Sequence, residues 1–183
     1  MKSEQKIFSC VYRSPIGKMI LQSDGGSISG LYFDSSRLIG KASGINSDAY
    51  DSLGVFDLAI DWLDRYFAGK KPDPSEIPVC LSGSSFCRAV WDELKKIPYG
   101  KVVTYSEIAK ALAAKSASGK MSAQAVGYAV GHNPVSVIVP CHRVIGAGGN
   151  LTGYAAGLDK KAALLSLEGV DTDTFFIPKA KIR

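Results

Sequence analysis

The chain has 183 residues, of which 46% are hydrophobic and 21% charged, and its formal net charge is +5. This balance is typical of a folded globular protein and excludes a disordered or fibrous chain. Because no run of about 18 apolar residues is present and the first residues lack the apolar core of a secretion signal, the sequence predicts a cytoplasmic protein without a membrane partner.

The positive charge is concentrated in the second part of the chain. Residues 1–83 contain 9 Lys and Arg against 10 Asp and Glu, whereas residues 84–183 contain 13 against 7. A basic region is typical of a surface that binds a polyanion such as DNA, but it is more often an ordinary solvated surface. Charge alone leaves both interpretations open.

The first part of the chain is predicted to form strands followed by a helix. Apolar segments at residues 7–12 and 18–22 flank a Ser-Pro-Ile-Gly turn and predict a hairpin, and residues 28–33 predict a third strand. Residues 57–67 have the apolar spacing of a helix. The Gly- and Pro-containing segment that follows predicts a domain boundary between residues 69 and 84, and hence an N-terminal mixed α/β domain over residues 1–83.

Residues 84–183 are predicted to form a second, mainly helical domain. Ser84 or Ser85 can cap a helix that runs to about Ile97. Thr104, with Glu107 three residues later, predicts a capping box for a helix over residues 105–114.

A third helix is predicted from the Ser122 cap to about residue 130, with Gly131 placed to end it. Two short helices joined by a glycine-containing turn in a basic segment indicate a helix-turn-helix. The small residues Ala123 and Gly127 would let DNA approach the second helix closely. The alternative is a helical hairpin that packs only on a core.

A buried strand is predicted at residues 135–139, because the segment is apolar and rich in β-branched residues. It leads into Pro140-Cys-His-Arg143. The glycine-rich residues 146–150 lack the spacing of a phosphate-binding loop and predict a turn, and residues 158–168 predict a last helix.

Cys141 is the cysteine with reactive surroundings. None of the four cysteines forms a C-x-x-C pair, so all are predicted to be free thiols in a reducing compartment. His142 and Arg143 follow Cys141 directly, and nearby positive charge favours the nucleophilic thiolate. Adjacent side chains on extended backbone point apart, so a water could bridge Cys141 and His142, with Glu168 as a candidate to orient the imidazole. The alternative is a structural cysteine beside a surface histidine.

Six motifs occur in order across residues 84–170. They are Ile97-Pro-Tyr-Gly-Lys-Val-Val-Thr-Tyr105, Ala125-Val-Gly127, Asn133-Pro134, Pro140-Cys-His-Arg-Val144, Thr152-Gly-Tyr154 and Leu164-Leu-Ser-Leu-Glu-Gly169. This series resembles the O6-alkylguanine-DNA alkyltransferases. The likeness is strong over these residues and only general over residues 1–83.

The resemblance implies an α+β protein with a ribonuclease-H-like N-terminal domain and a C-terminal, winged helix-turn-helix-like domain over residues 84–183. It implies a monomer that binds double-stranded DNA in the minor groove and flips the alkylated base out of the stack. An alkyl group would move from O6 of guanine irreversibly to Cys141, once per molecule, without cofactor or metal. O4-alkylthymine as a second substrate, the size of the alkyl group and induction by damage are left open.

The resemblance also implies a role for each motif residue. His142 would deprotonate Cys141 through a water, Glu168 would orient His142, and Tyr105 would bond the guanine ring and donate a proton to it. Asn133 would brace the active-site turn, the main chain at Cys141 and Val144 would accept the guanine amino group, and Tyr154 and Ala155 would close the pocket beside a nearby Lys161. The set implied to hold the base and the DNA is Ala123, Gln124, Gly127, Asn133, Arg143, Val144, Tyr154, Ala155 and Lys161.

Two positions depart from the family pattern. Gln124 stands where many relatives have an arginine that fills the space of the flipped base, which predicts slightly weaker DNA binding. Ala156 stands where glycine is usual, and predicts a narrower pocket. The N-terminal domain contains no histidine, so no zinc is expected there.

Two other functions compete with this interpretation. A non-enzymatic binder of alkylated DNA would lack the cysteine, but Cys141 is present. A winged-helix regulator with an incidental cysteine would leave His142, Glu168 and the two tyrosines unexplained. The roles of Cys10, Cys80 and Cys87 stay open.

Overall fold

The computed structural model describes residues 6–34 and 53–176, and the chain divides into two compact units. The first unit comprises Met1–Ser82 together with Pro134–Val139, and the second comprises Gly83–Asn133 and Pro140–Arg183. The sequence did not predict that a short segment just before Cys141 returns to the first unit. Within the described residues, no helix is long and apolar enough to cross a membrane.

The first unit contains a three-stranded antiparallel sheet in the order β1-β2-β3, and its strands lie where the sequence predicts them. The strands are β1 (Phe8–Ser14), β2 (Gly17–Ser23) and β3 (Ile28–Phe33). The turn between β1 and β2 has two residues, since Ser14 pairs with Gly17 in the register. Strand β2 is the most deeply buried, because its apolar Met19–Leu21 stretch is covered on both faces.

Helix α1 (Gly54–Phe67) lies beside this sheet and buries an aromatic face. Trp62 and Tyr66 stack with ring centroids 5.4 Å apart, and the Trp62 indole donates a hydrogen bond of 2.8 Å to the Asp73 carbonyl. The helix begins three residues before the predicted start at Asp57, because its N-cap, Leu53, makes no side-chain capping bond that a sequence could reveal.

The prediction of a strand at residues 135–139 is wrong. The segment makes isolated bridges, Leu31 with Val135 and Ser136 with Val139, and Val137 adopts a φ of 71° in a tight turn closed by the Ile138 amide and the Ser136 carbonyl. A positive φ is rare for a β-branched residue. The apolar composition that suggested a strand instead reflects burial of the whole turn.

Up to residue 176, the second unit contains four α-helices, two 3-10 turns and one short parallel strand pair. The helices are α2 (Ser85–Leu94), α3 (Tyr105–Ala113), α4 (Ala123–Gly131) and α5 (Leu158–Leu167), and the pair is β4 (Val103–Thr104) with β5 (Val144–Ile145). Helices α2, α3 and α4 pack together, and the Trp91 indole on α2 donates to the Ala129 carbonyl on α4 across 2.8 Å. Helix α2 ends at Leu94 rather than Ile97.

The predicted caps of α3 and α4 are confirmed. Thr104 and Glu107 form a reciprocal capping box, and the Ser122 hydroxyl accepts the amides of Gln124 and Ala125. Gly131, predicted to end α4, is its last residue, and His132 is the C-cap. Cap signals are local, which explains why sequence alone located these helix starts.

Helix α5 is held in place by a small apolar cluster. Ile145 of β5, Leu151 and Leu165 are buried together, with Ala162 and Phe175 packed against them. This packing fixes the rotation of α5, and therefore the positions of its two inward-facing charged residues, Lys161 and Glu168 at the C-cap.

Candidate active site

Cys141, His142 and Arg143 form one short 3-10 turn that leads directly into β5. The sequence suggested extended backbone here, and the structure corrects this to a helical turn. Cys141 is 5% exposed, His142 is 0% exposed and Arg143 is 5% exposed. Because a 3-10 helix has about three residues per turn, consecutive side chains diverge by about 120° rather than alternating.

Glu168 is the centre of a buried hydrogen-bonded charge cluster. Its Oε1 lies 2.8 Å from Nε2 of His142, and Arg143 donates to both carboxylate oxygens, from Nη2 at 2.8 Å and from Nε at 2.9 Å. The Gly100 amide donates to Oε2 at 3.0 Å, and Arg143 Nη1 donates to the Ile97 carbonyl at 2.6 Å. Both carboxylate oxygens are therefore fixed by several donors.

Arg143 was predicted among the residues that hold DNA, but its side chain lies in this buried cluster. The guanidinium is engaged by Glu168 and by the Ile97 carbonyl, so it is not available at the surface to contact a phosphate. Sequence reasoning placed Arg143 beside Cys141 and missed its pairing with a residue 25 positions away. Its place in the structure is that of a positioning residue for Glu168.

The cluster favours an ionised glutamate and a neutral histidine. Burial alone would raise the pKa of Glu168, but the hydrogen bonds from His142 and Arg143 outweigh this and lower it. Burial lowers the pKa of His142, and Arg143 and Lys161 lower it further, whereas Glu168 opposes them. With Glu168 accepting from Nε2, the neutral ring carries its proton there and Nδ1 is the basic nitrogen.

Lys161 and Tyr105 lie in the electrostatic neighbourhood of Cys141. The Lys161 ammonium is fully buried and donates to the carbonyls of Val144 and Thr152. Burial lowers the pKa of Lys161 to about 8, with Cys141 acting in the opposite direction. Burial raises the pKa of Tyr105 to about 12, and Cys141 adds to this rise, so the Tyr105 hydroxyl keeps its proton at neutral pH.

The Tyr105 hydroxyl is held against a glycine. It lies 3.3 Å from the Thr152 carbonyl and 3.4 Å from the Gly153 carbonyl. Gly153 has a φ of 67°, and a Cβ placed on it would overlap the Tyr105 hydroxyl. Sequence reasoning did not single out Gly153, although it lies inside the Thr-Gly-Tyr motif, where a glycine signals a positive φ or a close approach.

The other predicted site residues divide between the surface of α4 and the interior. Gln124 is exposed on α4, and Ala123 and Gly127 are half-buried; a Cβ on Gly127 would face the Tyr105 ring at 3.8 Å. Asn133 and Val144 are buried, whereas Tyr154 and Ala155 are half-buried. All of these residues belong to the second unit. Across residues 6–34 and 53–176, no three His, Cys, Asp or Glu side chains cluster as metal ligands would.

Both units match known protein families. Residues 7–81 match the family described as 6-O-methylguanine DNA methyltransferase, ribonuclease-like domain, and residues 85–170 match the DNA binding domain of the same methyltransferase. A Methanosarcina acetivorans protein named methylated-DNA--protein-cysteine methyltransferase is 39% identical over 163 residues, which cover 89% of this chain and 99% of that protein.

Solved structures agree with these matches. The crystal structure of a Mycobacterium tuberculosis O6-methylguanine methyltransferase has a TM-score of 0.73 at 36% identity and covers 97% of this chain and 98% of that one. The structure of Mycobacterium tuberculosis OGT in complex with DNA has a TM-score of 0.71 at 37% identity and covers 91% and 94%. The mixed α/β architecture, with a ribonuclease-like part before a helical DNA-binding part, is thereby confirmed, and the chain belongs to the methylated-DNA–protein-cysteine methyltransferase family.

Proposed function

We propose that this protein repairs DNA by direct reversal, moving a methyl or other alkyl group from O6 of guanine to Sγ of Cys141. The observation that carries the proposal is the buried Cys141-His142-Arg143 turn, in which Nε2 of His142 lies 2.8 Å from the Glu168 carboxylate. The lowered pKa values of His142 and Glu168 favour a neutral imidazole beside an ionised carboxylate. This is the arrangement that a thiol needs in order to lose its proton to a nearby base.

In the proposed reaction, Nδ1 of His142 receives the Cys141 proton through a bridging water. The thiolate attacks the alkyl carbon, so an S–C bond forms while the C–O6 bond breaks and its electron pair passes to the guanine. The Tyr105 hydroxyl hydrogen-bonds the departing base and passes its proton to the ring as negative charge develops there, and the proton held by His142 then restores the Tyr105 hydroxyl through solvent. The buried Lys161, near Tyr105, stabilises negative charge on that side of the site.

The proposed reaction ends after one turnover. Its product is a thioether, which has no good leaving group, so no step restores the free thiolate. The Cys141 thiolate and the alkylated guanine are held together in one site, and the binding energy of the DNA supplies that positioning. No cofactor enters the scheme.

The DNA-binding part of the proposal places α4 in the minor groove of duplex DNA. The target base is flipped out, Gln124 fills the gap, and the small residues Ala123 and Gly127 allow close approach. The main chain at Cys141 and Val144, together with Tyr154 and Ala155, encloses the base, while Asn133 braces the turn. We propose that residues 84–183 act as a winged helix-turn-helix-like domain, residues 1–83 as a separate domain, and the protein as a monomer.

The test is transfer from a defined lesion. The protein is mixed with a duplex that carries one O6-methylguanine, and the intact mass and the modified peptide are determined. One added methyl group, located on the peptide that contains Cys141, supports the proposal. Methylation of another residue, or tight lesion binding with no methyl transfer, overturns it and favours a non-enzymatic binder.

A Gly153→Ala substitution is expected to slow alkyl transfer about 100-fold while DNA binding changes little. The new Cβ would displace the Tyr105 hydroxyl, and the positive φ of 67° adds backbone strain. Loss of a positioned acid costs about 10²–10⁴ in rate. Single-turnover transfer measures the effect, with Gly148→Ala as control, since it also has a positive φ but no atom within 4 Å of its Cβ. Equal rates in the two variants would contradict the role of Tyr105.

A Gln124→Arg substitution is expected to tighten DNA binding by a few fold at low salt. Gln124 is exposed at the start of α4, a helix without charged side chains. An added cation near phosphates should steepen the fall of log K with log salt by about 0.9. Fluorescence anisotropy at several salt concentrations checks this, with Gln124→Met as an uncharged control of similar length. An unchanged affinity together with an unchanged salt slope would place residue 124 away from the DNA.

A further inference from the structure

Tyr128 is an exposed aromatic residue on a helix face that otherwise carries small or uncharged side chains. It is 62% exposed, and it lies on α4 four residues after Gln124. Single exposed aromatic residues are common on protein surfaces, so it is the position of this ring on α4, rather than its exposure, that points to a partner.

The helical repeat places Gln124, Gly127 and Tyr128 on one strip of the α4 surface, the exposed strip. At about 100° per residue, Tyr128 lies about 40° from Gln124 around the helix, and Gly127 lies about 60° to the other side. Gly127 faces the Tyr105 ring, so the strip borders the active site on one flank and carries Tyr128 on the other. A partner that covers both Gln124 and Gly127 therefore also lies close to Tyr128.

His132 fixes the Tyr128 ring in place. The two rings stack with centroids 3.9 Å apart and an interplanar angle of 28°. Nδ1 of His132 lies 2.7 Å from the Tyr128 carbonyl, which can only accept, so Nδ1 is the donor and the imidazole is itself anchored to α4. An aromatic ring that is already held in one orientation loses little entropy when it binds a partner.

We propose that the Tyr128–His132 pair is a second DNA contact of α4, beyond the Gln124 position. The rise of an α-helix puts Tyr128 about 6 Å along the axis from Gln124, so the ring would pack against sugars and base edges within about two base pairs of the flipped nucleotide. The inference rests on the proposed function, in which α4 lies in the groove.

The chemistry of α4 supports this occupant. The helix carries no charged side chain, so its own contribution to DNA binding must come from close packing and hydrogen bonds rather than from phosphate neutralisation. Tyr128 offers the largest packing surface on the exposed strip. An ordinary stacked pair on a solvated helix would share the ring geometry, but it would contribute nothing to DNA affinity.

The experiment compares Tyr128→Ala and Tyr128→Glu with the wild type in the full-length protein. The matched control is Phe176→Ala, which removes another exposed aromatic ring, 52% exposed, from the same unit. Affinity for a short undamaged duplex is measured by anisotropy at several salt concentrations. Alkyl transfer from free O6-methylguanine base, which needs no DNA contact, is measured in parallel.

Tyr128→Ala is expected to weaken duplex binding about tenfold, in line with the loss of one aromatic contact to a base. Its salt slope should stay that of the wild type, because no charge is removed. Tyr128→Glu should bind more weakly still, since it brings a carboxylate towards the phosphates. Transfer from the free base, and duplex binding by Phe176→Ala, should remain within about twofold of the wild type.

Two results would overturn the inference. The first is duplex binding by both Tyr128 variants within about twofold of the wild type. The second is a loss of transfer from the free base as large as the loss of duplex binding, which would show that the ring supports the fold rather than contacting DNA. A wild-type protein that neither binds DNA nor transfers an alkyl group would instead refute the proposed function. The inference alone fails when the wild type is active and the Tyr128 variants match it.

Discussion

A Cys141→Ser variant is expected to bind DNA about as tightly as the wild type and to transfer no measurable alkyl group. The exchange of sulfur for oxygen changes the volume of a buried side chain little, so the turn and its Glu168 cluster should persist. A serine hydroxyl is far less acidic than a thiol, and His142, whose pKa is lowered by burial, is too weak a base to ionise it. We expect the transfer rate to fall by at least about 10⁴-fold.

Cys87→Ser is the matched control. Cys87 lies on α2 of the same unit, is half-buried and is also a free thiol, so its substitution tests whether any cysteine can serve. Its transfer rate and stoichiometry should equal those of the wild type. Lesion-containing duplex is titrated against each protein, and the methylated protein is quantified by mass. Methyl transfer by the Cys141→Ser variant at more than a trace would refute the proposed nucleophile.

Local signals explain why most elements could be predicted from the sequence. The hairpin of β1 and β2 follows from a two-residue turn between apolar segments, and the starts of α3 and α4 follow from Thr104 and Ser122, whose side chains make the expected capping bonds. Each of these features is fixed by residues fewer than about five positions apart. The same reasoning failed for α1, whose N-cap residue Leu53 makes no side-chain bond.

The buried turns could not be predicted in this way. Residues 135–139 have the composition of a strand, yet Val137 takes a positive φ because tertiary packing dictates the turn. The composition of an apolar segment reports its burial, and it does not report the path of its backbone. The structure therefore shows the path of the backbone, which the β-branched pattern could not predict.

The site was predicted in part by local sequence and in part by the resemblance. Neighbouring charge singled out Cys141 and His142, but the pairing of Glu168 with His142 joins residues 26 positions apart, and only the fold brings them together. The burial of Arg143 and Lys161 was missed by reasoning from the residues alone, because both residue types are usually solvated. Their burial is explained by their hydrogen-bond acceptors. These are Glu168 and the Ile97 carbonyl for Arg143, and two main-chain carbonyls for Lys161.

A Glu168→Gln variant is expected to lose both stability and activity. The carboxylate is the partner of the buried Arg143 guanidinium and of His142, and its neutral replacement leaves a buried cation without a counter-ion. Breaking one side of a buried pair costs about 3–5 kcal/mol in the free energy of unfolding. Without the carboxylate, the imidazolium formed during transfer also loses its stabilisation, so the transfer rate should fall about 100-fold.

The difference in the free energy of unfolding between wild type and Glu168→Gln should decrease as the pH falls. The pKa of Glu168 is lowered in the folded state, so the unfolded chain binds the proton first as the pH falls. The stabilisation is fully present above the unfolded-state pKa of about 4.3 and is lost progressively below it. Denaturant unfolding should therefore show a difference that is smaller at pH 3 than at pH 7, by about 1.4 kcal/mol for each pH unit below about 4.3. A constant difference would contradict the pairing.

Glu93→Gln is the control for the loss of a carboxylate as such. Glu93 accepts hydrogen bonds from Lys96 and Lys115, but both lysine side chains are 58% exposed, so solvent screens the cluster. Its substitution should cost at most about 1 kcal/mol and leave transfer unchanged. A loss comparable to that of Glu168→Gln would show that burial is not what makes Glu168 important.

The double variant Arg143→Met/Glu168→Gln separates the two consequences. With both charges of the pair removed, neither of them is left buried without the other, so much of the lost stability should return. The transfer rate should stay low, because His142 still lacks the carboxylate that orients its ring and supports its charge. If activity returned together with stability, Glu168 would act only through the fold, and the relay from Glu168 through His142 to Cys141 would have to be abandoned.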